Sequence, residues 1–188
     1  MHAQPWIHAS VETIDSYRRM VDGAVQQLSD EEFFGRKAEG INSVAVILRH
    51  LGGNLLSRWT DFLTTDGEKP SRNRDSEFED WAGDRASLMA FFESGWQVWR
   101  NSIESLTADD VTKTVTVRGE PHSVPLAIQR SLTHTAYHVG QIMLISRLIH
   151  DGNWQWLTIR PGGSQQHNEK TWGTAASRGA AGDERRQL

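Results

Sequence analysis

The chain contains no cysteine. That excludes disulfides, a thiolate nucleophile and thiolate metal ligation. Any thiol chemistry would have to use a thiol brought by another molecule. The chain also lacks a block of Lys and Arg. Its 20 basic residues are outnumbered by 24 acidic ones and the net charge is -4, so there is no electrostatic footprint for nucleic acid. No run approaches the roughly 18–20 apolar residues of a membrane span. The opening MHAQPWIHASVETIDSYRRM has no basic-then-apolar leader pattern. The expected setting is the cytoplasm, with neither nucleic acid nor membrane as partner. Against these absences stand eight Trp in 188 residues, some expected in a core and others lining a pocket or an interface. The length suits one domain with a sizeable core.

Periodicity organises most of the chain. Apolar residues recur at helical spacing from about Ala9 to Leu28 and predict a first long helix. Ser29 and Glu32 have capping-box spacing, which predicts a short further turn of helix. Ser43 opens a second long helix, SVAVILRHLGGNLLSRWTDFLT. Gly52 and Gly53 cost on the order of 1 kcal/mol each inside it, which makes sense where another backbone or a ligand approaches closely. Residues 65–83 read as a long polar loop, of the kind that is often functional in compact domains. Asp84 is placed to cap a third helix, RASLMAFFESGWQVWRNSIESL, and TADDV again has capping spacing. TKTVTVRGEPHSV alternates around Arg118–Gly119 as a small hairpin. Ser123 and Pro125 mark the start of a fourth helix running to about Ile149. Residues 151–172 read as irregular, and the closing GTAASRGAAGDERRQL, without apolar pattern, reads as disordered. The expected fold class is all-α: a four-helix bundle, with a small β-hairpin before the last long helix. Bundles commonly build metal sites from side chains on facing helices.

Histidines carry the chemistry that this pattern offers. On the fourth helix, Gln129, Thr133, Gly140 and Arg147 share one side, expected to face solvent. Ser131, His134, His138, Ile142 and Ile145 share the other. The i, i+4 spacing of His134 and His138 puts two imidazoles on one face about a turn apart, close enough for one ion. His50 on the second helix lies on a stripe with Ser43, Ile47, Asn54, Ser57 and Asp61, either exposed or lining a pocket. Three histidines with open positions is the general form of a catalytic divalent-metal site. On spacing alone, the same imidazoles are equally well read as hydrogen-bonded residues at the edge of a core.

LRHLGGNLLSRW in the second helix and HTAYHVGQI in the fourth resemble the DinB-like superfamily. That superfamily comprises four-helix-bundle metalloproteins, among them bacillithiol transferases and mycothiol-dependent isomerases. Its pattern is a histidine on helix two with H-x-x-x-H-x-G-Q on helix four, met here by His50, His134, His138, Gly140 and Gln141. The resemblance covers roughly residues 5–165, which sets an expected domain 1–165 and a partly disordered tail 166–188. It implies a divalent metal, zinc or nickel, held by His50, His134 and His138. It further implies a low-molecular-weight thiol activated for transfer to a small electrophile, and a homodimer. The loop LTTDGEKPSRNRDSEFE and the segment LTIRPGGSQQHN resemble a branch without an established reaction. Asn54 is expected to orient a bound water or substrate, or to bond between helices. Arg58 would bind a carboxylate or pair with Asp75, Glu77 or Glu79, and Gln141 would either back a histidine or make a plain interhelical hydrogen bond. The competing readings are a non-catalytic bundle that binds a metal or small ligand, and, ranked lower, a metal-dependent hydrolase. Hydrolysis wants a general base near the metal. The histidine stripes offer only Asp61, roughly 16 Å along the helix from His50.

Overall fold

The computed structural model of the chain describes residues 3–150 and 152–173. It is mostly helical, with one small antiparallel sheet. Two compact units are present, dividing after Asn153.

In the first unit, α1 spans Ala3–Val25 and buries the predicted stripe, including Val11, Ile14, Val21 and Ala24. α2 is the short Asp30–Phe34. Its capping box is formed as the sequence implies: Glu32 N–H donates to Ser29 Oγ at 3.3 Å, and Ser29 N–H donates to Glu32 at 2.8 Å. α3, Val44–Trp59, is capped by Ser43 and is buried along most of its length. It ends five residues earlier than periodicity suggests. Asp61 turns into the left-handed region with φ of 48°, and its carbonyl accepts from Thr64 and Thr65 N–H, which closes a turn instead of a further helical one. α4, Arg85–Glu104, begins at the predicted Asp84 cap, which accepts from Ser87 N–H at 2.8 Å.

The predicted hairpin is β1, Thr114–Val117, paired antiparallel with β2, Glu120–Ser123, with Val115 opposite His122 and Val117 opposite Glu120. Its two-residue turn places Arg118 at φ 57° and Gly119 at φ 75°, the positive values that a tight hairpin demands. β2 runs directly into α5, Val124–His150.

α1 packs against α4 and α5, and α3 packs against α4 and α5. The α3–α4 contact is close because glycines meet. A Cβ on Gly95 would stand 2.5 Å from the Gly52 carbonyl oxygen, and a Cβ on Gly52 would stand 3.1 Å from Phe92 Cα. Trp99, Phe33, Phe92, Leu48 and Leu51 are fully buried among these helices. Trp59, Trp96 and Trp99 are core residues, and Trp59 also donates its indole N–H to Ser131 Oγ at 3.1 Å, tying α3 to α5.

The second unit contains α6, Ser164–Trp172, where the sequence reads as irregular. SQQHNEKTW has no apolar period for a pattern to detect and none of its residues is buried. An i, i+4 hydrogen bond from Gln165 to Glu169, 3.1 Å, supports it locally. The expected domain boundary at residue 165 therefore falls inside a helix. The tail expected to be disordered lies, from residue 174 onward, outside the described residues.

Candidate metal centre

The helix faces are as the spacing predicts. Gln129, Thr133, Gly140 and Arg147 are exposed, whereas Ser131, His138, Ile142 and Ile145 are buried and His134 is half-buried. On α3 the polar stripe is a lined interior rather than a solvent face: His50 and Ser57 are buried and Asn54 is half-buried. α3 and α5 thus bring three imidazoles together. One nitrogen from each of His50, His134 and His138 lies within 4.8 Å of the others. His50 Nε2 and His134 Nε2 are 3.3 Å apart. Two imidazole ligands about 2.05 Å from one tetrahedral zinc would stand at about that separation.

Each imidazole has a different environment. His50 Nδ1 is 2.8 Å from a Glu77 carboxylate oxygen. A proton held on Nδ1 toward that carboxylate leaves Nε2 as a free lone pair directed to the cluster. The Phe78 ring stacks on His50 with centroids 4.8 Å apart. Both contacts come from one 3-10 turn, Asp75–Phe78. Arg72 completes the support, donating Nε–H to one Glu77 oxygen at 2.7 Å and Nη2–H to the other at 2.8 Å. The side chains of His50, Glu77 and Arg72 are 5%, 7% and 4% exposed, so this is a buried, fully engaged chain. Burial pushes the Glu77 carboxyl up, but the hydrogen bonds from His50 and Arg72 outweigh it and hold it below the usual carboxylate range. The helix makes room for it: a Cβ on Gly53 would sit 2.3 Å from a Glu77 carboxylate oxygen.

His138 is supported from its own helix. Its Nδ1 is 2.8 Å from Gln141 Oε1, and Gln141 Nε2–H donates to the Tyr137 hydroxyl at 3.2 Å. His134 has no such support: its Nδ1 is buried without a hydrogen-bond partner. Burial, followed by the neighbouring His138 and His50, pushes His134 down to about 3. Burial pushes His138 down to about 4, against the opposing hydrogen bond from Gln141. Both are therefore neutral at physiological pH, the form a metal ligand needs. Imidazole nitrogens suit divalent transition-metal ions of borderline softness.

A cavity of about 210 Å³ opens beside the cluster, lined by His50, His134, Asn54 and Arg58 among others. Asn54 is part of this cavity wall. Arg58 differs in its partner. Its Nη2 pairs with Glu68 at 3.0 Å, whereas Asp75 and Glu79 are not its partners and Glu77 is committed to His50 and Arg72. Loop and hairpin are joined beside the cavity: Gly67 N–H donates to Thr116 O at 2.8 Å, and Asp66 accepts from Arg118 N–H at 2.8 Å and Gly119 N–H at 2.7 Å. Ser57 anchors the same loop to α3, donating to Gly67 O at 3.0 Å and accepting from Lys69 N–H at 3.0 Å.

Fold and site together define a mostly helical protein with a three-histidine cluster able to hold a metal ion. The chain belongs to the family described as Protein of unknown function (DUF1572), whose model matches residues 1–163, ending just before α6. No curated protein matches it. Among the described residues, no helix is long and apolar enough to cross a membrane.

Proposed function

We propose that His50, His134 and His138 bind one divalent metal ion, zinc or nickel, and that the protein is a DinB-like metal-dependent thiol transferase. The reading rests chiefly on the convergence of three imidazoles within 4.8 Å, one of them braced by a buried carboxylate. The four long helices, α1 and α3 each packed on α4 and α5, support a bundle of the DinB-like type. When bound, such an ion supplies Lewis acidity that stabilises a thiolate or polarises a water. The chain's own residues hold and exclude. Glu77 fixes the His50 tautomer and Gln141 fixes that of His138. Asn54 stands in the cavity wall as a hydrogen-bonding group for a ligand. The thiol and a small electrophile come from outside, since the chain has no cysteine. A cytoplasmic homodimer is part of the same proposal.

One observation favours a second reading. None of the fifteen cavity-lining residues is a carboxylate, and Glu77, the acid nearest the cluster, has both oxygens engaged. The site therefore lacks a free general base. That argues against hydrolysis and is compatible with a protein that binds metal and small ligand without turnover.

Elemental mass spectrometry of untagged protein, beside the His134→Ala/His138→Ala double variant, tests the metal. About one divalent ion per chain, lost in a folded variant, supports the site, and absence of binding on adding zinc or nickel sinks it. Consumption of 1-chloro-2,4-dinitrobenzene that requires both metal and added thiol then separates transferase from binding protein. Sedimentation gives the oligomeric state.

A further inference from the structure

The cavity beside the histidines is lined by five arginines: Arg58, Arg72, Arg74, Arg118 and Arg130. Their carboxylate partners are too few. Glu68 alone is shared by three of them, Arg58 at 3.0 Å, Arg118 at 3.2 Å and Arg72 at 3.4 Å. Glu77 takes Arg72 a second time, and Asp75 reaches Arg74 only at 4.0 Å. Arg130 bonds the His122 imidazole, and among the described residues no carboxylate pairs with it. Arg58 has one guanidinium nitrogen, Nη1, buried with no hydrogen-bond partner, although its Nη2 is paired. A buried charged donor left unmade is costly, and such a group ordinarily marks a missing partner. Burial and the adjacent Arg72, Arg118 and Arg130 charges hold the Arg58 guanidinium below its ordinary value in spite of Glu68.

We infer that this cavity seats a small molecule carrying a carboxylate or comparable oxyanion on the guanidiniums of Arg58 and Arg130, with its other end at His50 and His134. Guanidinium forks match planar oxyanions in a bidentate way. Helical rise sets the length of the ligand. Arg58 is eight residues past His50 on α3, and Arg130 is four before His134 on α5. Those separations are about 12 Å and about 6 Å along the axes, the reach of a short-chain compound. Trp59, Phe62, Val115 and Ala127 give the same cavity an apolar wall, so the ligand's middle is uncharged. Arg72 has no part in this seat, because Glu77 and Glu68 already take its donors. The location of the reactive end rests on the metal reading above, while the anion seat does not.

Calorimetric titration of metal-free protein with succinate, and with its uncharged counterpart succinamide, tests the seat. Succinate binds and succinamide does not. Arg130→Gln, at an exposed position, weakens succinate binding at least about tenfold without altering the circular dichroism spectrum. Arg118→Gln, on the exposed hairpin turn, is the second variant and gives a smaller loss. Equal binding of the two probes, no binding of succinate, or arginine variants equal to the parent overturns the inference. Inorganic phosphate in the same titration separates the sources: tighter binding than succinate assigns a phosphate ester, weaker binding a carboxylate. In cobalt-loaded protein, mercaptosuccinate produces thiolate-to-cobalt absorption at a concentration at least about tenfold below that needed for 2-mercaptoethanol. Failure of cobalt to bind removes the metal reading alone, and the succinate titration still decides the seat.

Discussion

The two sides of the histidine cluster are built on different principles. On the α3 side, His50 is braced by Glu77 and Arg72, which come from a loop more than twenty residues further along the chain and are buried as a charged chain. On the α5 side, His138 is braced by Gln141 one turn away, a neutral contact made within the helix, and His134 is not braced at all. The first arrangement couples the site to tertiary structure. Glu77 can be there only if the loop is folded, if Gly53 leaves space, and if Arg72 neutralises the carboxylate. The second is present whenever α5 is helical. The α3 side should therefore carry both the stability and most of the ligand tuning, and the α5 side should be nearly indifferent to changes elsewhere.

Glu77→Ala tests the contrast most severely. It leaves Arg72 buried with only Glu68, and His50 without its acceptor. Breaking one partner of a buried pair costs about 3–5 kcal/mol, read as a fall in unfolding free energy by denaturant titration. Glu77→Gln keeps the shape and lowers zinc affinity about 10–100-fold in a chelator competition, the usual loss for an outer partner of a histidine ligand. Gln141→Ala on the α5 side should lower it only a few-fold with unfolding unchanged. Equal effects of Glu77→Gln and Gln141→Ala would break the comparison.

Gly53→Ala is a subtler probe of the same side. Alanine is the better helix former by about 1 kcal/mol, but its methyl would collide with the Glu77 carboxylate. Helix stability and metal affinity should move apart: an unfolding free energy no more than about 1 kcal/mol below the parent, with zinc affinity down about tenfold. A variant that binds zinc like the parent would show that Glu77 is not held against His50 by this fit.

Local chemistry explains what could be read from the sequence. Ser29–Glu32, Ser43 and Asp84 announce helix starts because capping is satisfied within three residues. His134 and His138 announce a shared face because a helix repeats every 3.6 residues. Glu77, Phe78 and Arg72 sit in a loop without periodicity, and a buried acid there looks like any solvated one in RNRDSEFED. The available signal was Gly53, three residues past His50 on the same side of α3. It indicates a close approach without saying by what. The arginine-lined cavity was equally hidden, since its members come from α3, the loop, the hairpin and α5, and no segment of the sequence is basic.

The smallest expected effect concerns how the loop wall is fastened. Asp66 accepts from the backbone N–H groups of Glu68, Gly119 and Arg118, in that order of influence, and they hold its carboxyl well below the usual range. A carboxyl depressed in the folded state stabilises it at pH values above the unfolded value near 4, and that contribution is lost as pH falls toward the folded value. Asp66→Asn should therefore lower unfolding free energy by about 1 kcal/mol at pH 6, with the gap to the parent narrowing steadily below pH 4. Gln141→Ala, which alters a neutral bond on α5, should show no such convergence. If the Asp66→Asn gap stays constant from pH 6 to pH 3, the clip to the hairpin turn is not electrostatic, and the loop would be fastened by its hydrogen bonds to Ser57 and by packing.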